Sequence, residues 1–328
     1  MKVPSGRRVV VAALGAGVGI VIVAIVLSSS GCVRSGRAYP PPPPLDHSAS
    51  PSPSIPTHSP VAPRPRNALP FQGLGTWVDV YDHRSWADPA AAVAGMKAQG
   101  VQTLYLQTSN YSRNYDVYRP KATGEFIDQA RMQGIRIVAW YLPGLADLGK
   151  DLRRSDAAIS FRSSDGQPFD GFGLDIEAQI LDPPGVRTDA LVSLSQQIRS
   201  AAPGFPMAAI TPSPVALQTP PNGWPNFPWA GLNRFYDAFV PMDYFTSRAH
   251  GRQEVKSYVE LSAQIIRGAT GDAEVPIAPI AGIAQAVSAP EARGFVDAIR
   301  AQHLAGGSLY DFRTTTDPAV WAALGQIG

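Results

Sequence analysis

The chain is poor in the residues that usually announce a function. It has one cysteine, Cys32, in 328 residues, so no disulfide can form within it. Its five histidines show no metal-ligand spacing, so neither a metal site nor a cofactor is expected. Charged residues make up 16% of the sequence and the net charge is only +2. No basic run interleaves with aromatics, which argues against nucleic acid as a partner. There is no G-x-S-x-G elbow and no Walker A loop. What the sequence has instead is 45% hydrophobic content, enough for a large core, together with 32 prolines and 30 glycines.

Much of the proline lies near the start. Residues 1–32 read as an export segment. Lys2, Arg7 and Arg8 give a positive start, Val9 to Leu27 is apolar and uncharged, and Ser28-Ser29-Ser30-Gly31-Cys32 follows. Small residues before a lone cysteine resemble a bacterial lipoprotein processing site, with Cys32 as the lipidated residue. The apolar run is also long enough to remain as an uncleaved anchor. Both readings stand, and a freely secreted form is the third. Residues 33–68 form a linker rich in Pro, Ser and Thr that favours extended conformations and cannot bury a core. The expected location is therefore the cell envelope, with membrane attachment at the N-terminus and the domain outside the cytoplasm.

Residues 69–328 alternate β-like and helical segments. Eight strand–helix units in about 255 residues match a single (β/α)8 barrel in number and size. A doubly wound open sheet is the rival, but it would carry a Gly-rich turn after its first strand, where Tyr81-Asp82-His83-Arg84-Ser85 stands. In such a barrel the site is built at the C-terminal ends of the strands. Those outlets offer Asp79 and Asp82 after strand one, Gln107 after strand two, Trp140 and Tyr141 after strand three, Met242, Asp243 and Tyr244 after strand six, and Tyr310 and Asp311 after strand eight. Acids, amides and aromatic rings with few cations fit sugar binding, because ring faces stack on pyranose C–H surfaces and carboxylates take hydroxyls.

The fourth strand is the most informative stretch, Phe169-Asp170-Gly171-Phe172-Gly173-Leu174-Asp175-Ile176-Glu177. Alternation puts Gly171, Gly173, Asp175 and Glu177 on one face. Carboxylates two residues apart on a strand lie roughly 6–7 Å apart at Cβ. One charge there raises the proton affinity of the other and keeps an acid protonated near neutral pH. Cleavage of a glycosidic bond needs such a proton donor.

Asp170 to Glu177 resembles D-G-x-D-x-D-x-E, the strand-four signature of family 18 glycoside hydrolases, the chitinase-like enzymes. Asp170, Gly171, Asp175 and Glu177 match, and Gly173 replaces the middle Asp. Pro241-Met242-Asp243-Tyr244 resembles that family's M-x-Y-D, with the Asp before the Tyr. The family's strand-eight Trp is missing; Tyr310 and Trp321 are the candidates to replace it. The resemblance implies Glu177 as general acid, Asp175 as its partner and Tyr244 as the group that steadies the charged intermediate. It also implies a nucleophile that belongs to the substrate, its acetamido group. Asp79, Asp82, Gln107, Tyr141, Asp243 and Asp311 are the expected substrate-binding residues. The expected activity is hydrolysis of an extracellular or cell-wall polysaccharide, one with N-acetylhexosamine units among the candidates. Two alternatives stay open: a glycan-binding barrel without catalysis, and a retaining glycosidase of another family with a separate carboxylate nucleophile.

Overall fold

A computed structural model describes residues 65–220 and 222–328. The export segment and nearly all of the linker lie outside the described residues. The described residues form a closed barrel of eight parallel strands in sequential order, with β8 returning to β1. The strands are β1 (Gly73–Val78), β2 (Thr103–Asn110), β3 (Arg136–Leu142), β4 (Gly171–Asp175), β5 (Met207–Pro212), β6 (Ala238–Met242), β7 (Ile280–Ile283) and β8 (Gly306–Tyr310). Between them run α1 (His83–Ala87), α2 (Pro89–Ala98), α3 (Pro120–Met132), α4 (Leu148–Ser160), α5 (Pro184–Ala201), α6 (Pro214–Gln218), α7 (Trp229–Leu232), α8 (Gly251–Thr270) and α9 (Ala289–Ala301), and α10 (Pro318–Leu324) closes the chain. The eight strands match the eight strand–helix units that the sequence pattern implies; α1 and α6 span five residues each and are too short to show a period.

Local chemistry fixes the ends of the helices. Asp88 accepts the Ala91 amide at the start of α2, and Asp147 accepts the Lys150 amide at the start of α4. Ser288 and Glu291 form a reciprocal capping box on α9. Gly271, at φ +68, ends α8 in a left-handed turn that a residue with a Cβ adopts only under strain.

Two apolar layers follow from strand alternation. Residues such as Leu104, Ile137, Phe172, Leu174 and Phe239 face outward and pack under the helices. Inside, Trp77, Tyr105, Val138, Trp140, Ala208, Ile210, Val240 and Ile280 fill the barrel. The Trp77 and Tyr105 rings stack with centroids 4.2 Å apart, and Trp77 donates its indole N–H to Ser308 Oγ across the β1–β8 seam. Phe71 plugs the bottom: a Cβ on Gly171 would lie 3.2 Å from its ring. Near the start of the described residues Arg66 pairs with Asp272 at 2.6 Å, and the Asn67 amide donates to Asp237.

Candidate active site

The site lies at the C-terminal mouth, where β4 presents Asp175 and Glu177. Asp170, the first acid of the motif, stands at the other end of that strand. Its carboxylate accepts the Ile137 amide at 2.8 Å and pairs with Arg131, so it tethers the start of β4 to β3. Asp175 faces inward and is almost wholly buried, and its Oδ1 has no hydrogen-bond partner. Burial drives its proton affinity well above the carboxylate range, and the neighbouring charge of Glu177 adds to the rise. Glu177 reaches past the strand end and keeps contact with solvent. Its proton affinity is raised as well, by the protein packed around it. Among the described residues it forms no hydrogen bond or ion pair. The two acids titrate together as a dyad, and both hold their protons more tightly than a free carboxyl.

Tyr244, two residues beyond β6, points inward. Burial raises its proton affinity most, followed by the charges of Glu177, Asp175 and Asp311, so its hydroxyl stands among three carboxyls. Its ring lies 6.4 Å from that of Tyr310, which occupies the inner face of β8. The Tyr310 hydroxyl donates to Asp79 Oδ2 at 2.7 Å, while Asp79 Oδ1 accepts the Tyr81 and Asp82 amides. Asp79 thus lies in the mouth with both oxygens engaged. Gln107 is inward and buried, and its Oε1 accepts the Val80 amide at 3.0 Å. Asp311 is buried at the β8 outlet and accepts both donors of Thr314. Burial keeps its proton affinity above normal. The buried indole N–H of Trp140, on the inner face of β3, has no partner.

Three residues expected to bind substrate are engaged elsewhere. Tyr141 is on the odd-numbered, outward face of β3, and its hydroxyl donates to Asp151 of α4 at 2.5 Å. Asp82 caps α1, accepting the Ser85 amide and hydroxyl at 3.2 and 2.6 Å. Asp243 also faces outward, where Ser262 of α8 donates to it at 2.7 Å and its Oδ2 is buried without a partner. In each case the side chain is at a strand outlet in sequence but on the wrong face, or already spent on a cap. Trp321, the other candidate for the strand-eight ring, bonds the Thr315 carbonyl and packs on Phe312.

Asp243 carries a pH prediction. Burial pushes its carboxyl up to about 8, against 3.8 for an ordinary Asp. The folded protein therefore holds a proton that the unfolded chain releases near pH 4. Its contribution to stability is complete below about pH 4 and falls until about pH 8, where the folded form ionises. Asp243→Asn keeps the acceptor for Ser262 and cannot ionise. The stability of the variant relative to wild type should rise between pH 5 and pH 9, on the order of a few kcal/mol. Thermal melts of both proteins at the two pH values check this, and a difference independent of pH would refute it.

The middle position of the β4 motif has a steric explanation. A Cβ on Gly173 would lie 2.7 Å from Ile210 Cδ1 and 3.6 Å from Trp140 Cβ. Ile210 is paired in register with Asp175 and leans back over Gly173. Nothing in the sequence of β4 alone foretells this, because the pairing register of β5 decides it.

The outlets of β1 and β2 build a rigid rim. The buried Arg154 of α4 bonds the carbonyls of Asn110 and Arg113, and Lys150 bonds that of Tyr111. The Arg113 guanidinium sits 4.8 Å over the Tyr81 ring.

No known family profile and no curated protein matches the chain. Solved structures share its fold at low identity. An endo-1,4-beta-D-mannanase from Thermotoga petrophila aligns with TM-score 0.58 and 12% identity, covering 74% of this chain and 88% of that one. A family GH18 chitinase from Cycas revoluta in complex with allosamidin aligns with TM-score 0.57 and 11% identity, covering 77% and 99%. A GH18 N-acetylglucosaminidase from Paenibacillus barengoltzii aligns with TM-score 0.54 and 12% identity, covering 78% and 99%. The (β/α)8 architecture implied by the two short motifs is the one these proteins have.

Proposed function

We propose that this chain is a glycoside hydrolase acting on a polysaccharide at the cell envelope, with Glu177 as the general acid. The observation that carries the reading is the Asp175–Glu177 dyad at the tip of β4, unpaired with any cation and held at raised proton affinity. A proton retained near neutral pH is what departure of a glycosidic oxygen requires. Glu177, the solvent-facing member, delivers that proton as the bond from the anomeric carbon to oxygen breaks, and recovers one from the water that completes hydrolysis.

The source of the nucleophile follows by inspection of the other strands. Ile280 on the inner face of β7, and Ala278 just before the strand, bring no carboxylate. Asp243 is turned outward, and Asp79 and Asp311 are occupied by hydrogen bonds. This favours a nucleophile in the substrate, the acetamido oxygen of an N-acetylhexosamine. The two GH18 neighbours support the same class: one is a chitinase with bound allosamidin, the other an N-acetylglucosaminidase. Asp175, with an open Oδ1, receives the acetamido N–H, and Tyr244 stands opposite. Attachment through Cys32 or an uncleaved apolar anchor remains part of the proposal.

The test is hydrolysis of chitin oligomers, peptidoglycan and neutral glucans by wild type and by Asp175→Asn. The variant should turn over at least tenfold more slowly. Its pH profile should also change, because the two carboxyls titrate as a coupled pair and the variant leaves only one of them to ionise. An unchanged rate and pH profile would remove Asp175 from the reaction. Wild type that binds these glycans and cleaves none of them would favour the binding-barrel alternative.

A further inference from the structure

Beside the mouth, where β8 closes on β1, lies a cleft of about 510 Å3. Volumes of this order accommodate a ligand of several hundred daltons. Arg84 of α1 and Arg313, three residues past β8, both line it, with the hydroxyl residues Ser85, Thr315 and Thr316 between them. Both arginines are exposed, and neither makes a hydrogen bond or salt bridge with another described residue. The Arg313 charge acts on Asp311 at a distance, but no carboxylate forms a salt bridge with either arginine. Asp88 caps α2, and the Asp311 carboxylate is turned to Thr314. One end of the cleft lies near the strand outlets, since Arg313 follows Tyr310 and Arg84 follows Asp79 on neighbouring strands, and from there it runs between α2 and α10 past Gly95, Gln99 and Trp321. On the same rim Arg113 covers Tyr81 without a carboxylate partner, adding a third cation beside an aromatic face.

We propose that the substrate is an anionic polysaccharide, and that Arg84 and Arg313 hold a carboxylate or phosphate on sugar units lying outside the cleaved bond. The inference rests on the glycosidase reading above and deepens it. Guanidinium groups suit this task because their planar fork matches both oxyanions, and unpaired ones keep that capacity free. Thr316, exposed in the same lining, offers a hydroxyl to the sugar that carries the charge. A chain leaving the mouth across β8 and β1 meets the cleft directly, so the site holds more than one sugar unit.

Three polymers with one backbone separate the outcomes: glycol chitin, which is neutral, carboxymethyl chitin and phosphorylated chitin. Binding and hydrolysis are measured with the full-length chain at low and high salt. Wild type should bind at least one anionic polymer about tenfold more tightly than the neutral one, and salt should erase the preference. The better anionic polymer identifies the source of the charge. Arg84→Gln with Arg313→Gln should abolish the preference while leaving binding of glycol chitin and the melting temperature unchanged; Arg→Lys at both positions should restore part of it. Equal binding of all three polymers, no binding to any, or a preference that survives the double substitution would each overturn the proposal. Hydrolysis of all three at equal affinity sinks the anionic inference and leaves the glycosidase reading intact. Arginine-dependent, salt-sensitive binding with no hydrolysis does the reverse.

Discussion

Glu177→Gln is expected to lower glycan hydrolysis by roughly 10²–10⁴-fold, the usual contribution of a positioned general acid. The amide keeps the size and hydrogen-bonding reach of the carboxyl but has no proton to deliver. Folding should not suffer. Glu177 has no hydrogen-bond or ion-pair partner to lose, and its charge raises the proton affinity of Asp175, so removing it relieves a repulsion. The measurement is paired, with hydrolysis of the best oligosaccharide from the screen set beside the thermal melt of the same preparation. Full activity with Gln at this position would falsify the assignment. A loss of activity accompanied by a large fall in melting temperature would mean that the acid holds the mouth together, which the absence of any partner in the structure contradicts. Substrates with an activated leaving group should be affected least, because they depend least on protonation.

Gly173→Asp should be the most damaging substitution for stability on the inner face of β4. It restores the acid that the chitinase-like signature has in the middle, yet the space is taken. Its Cβ would stand 2.7 Å from Ile210 Cδ1, and its carboxylate would enter a layer already holding Asp175 without a cation. Overpacking costs about 1–3 kcal/mol, and an unpaired buried charge adds to that. A total loss of about 3 kcal/mol or more is expected in a denaturant titration. Ile210→Ala opens the space at the expense of a cavity, costing roughly 2–5 kcal/mol alone. The double variant should be more stable than the sum of the two losses predicts, by at least about 1 kcal/mol. Strict additivity would show that Ile210 is not what excludes the side chain. Where the chitinase-like signature has its middle acid, Ile210 of the neighbouring strand fills the space in this chain.

The barrel could be read from the sequence because it depends on local signals: apolar runs of five to eight residues, glycines after helices, and acids at strand tips. The motif on β4 was legible for the same reason, since alternation alone puts Gly173, Asp175 and Glu177 on one face. Alternation was not carried through on β3 and β6. Applied there, it sends Tyr141 and Asp243 outward once Trp140 and Met242 are taken as inward. Asp82 was misassigned because a short helix follows it and claims its carboxylate. The contact of Ile210 with Gly173, the bond from Tyr310 to Asp79 and the placement of Arg154 beneath the rim join residues 37, 231 and 41 or more positions apart. No window on a single sequence contains such pairs; they depend on barrel closure and strand register.

That closure also governs when the site comes into being. Asp79 and Tyr310 stand at opposite ends of the folded domain's sequence, and the indole of Trp77 meets Ser308 across the same seam. A chain emerging from its N-terminus carries Asp79 early, yet lacks the hydroxyl that fixes it until Tyr310, 231 positions later, has followed. Until then β1 has a bare edge, and that half of the mouth has no wall. The catalytic arrangement is therefore a late event in folding, tied to the longest-range contacts in the barrel, the kind that form slowly. A chain cut short before β8 would hold the whole acidic motif but lack Tyr310, the residue that fixes Asp79 at the mouth.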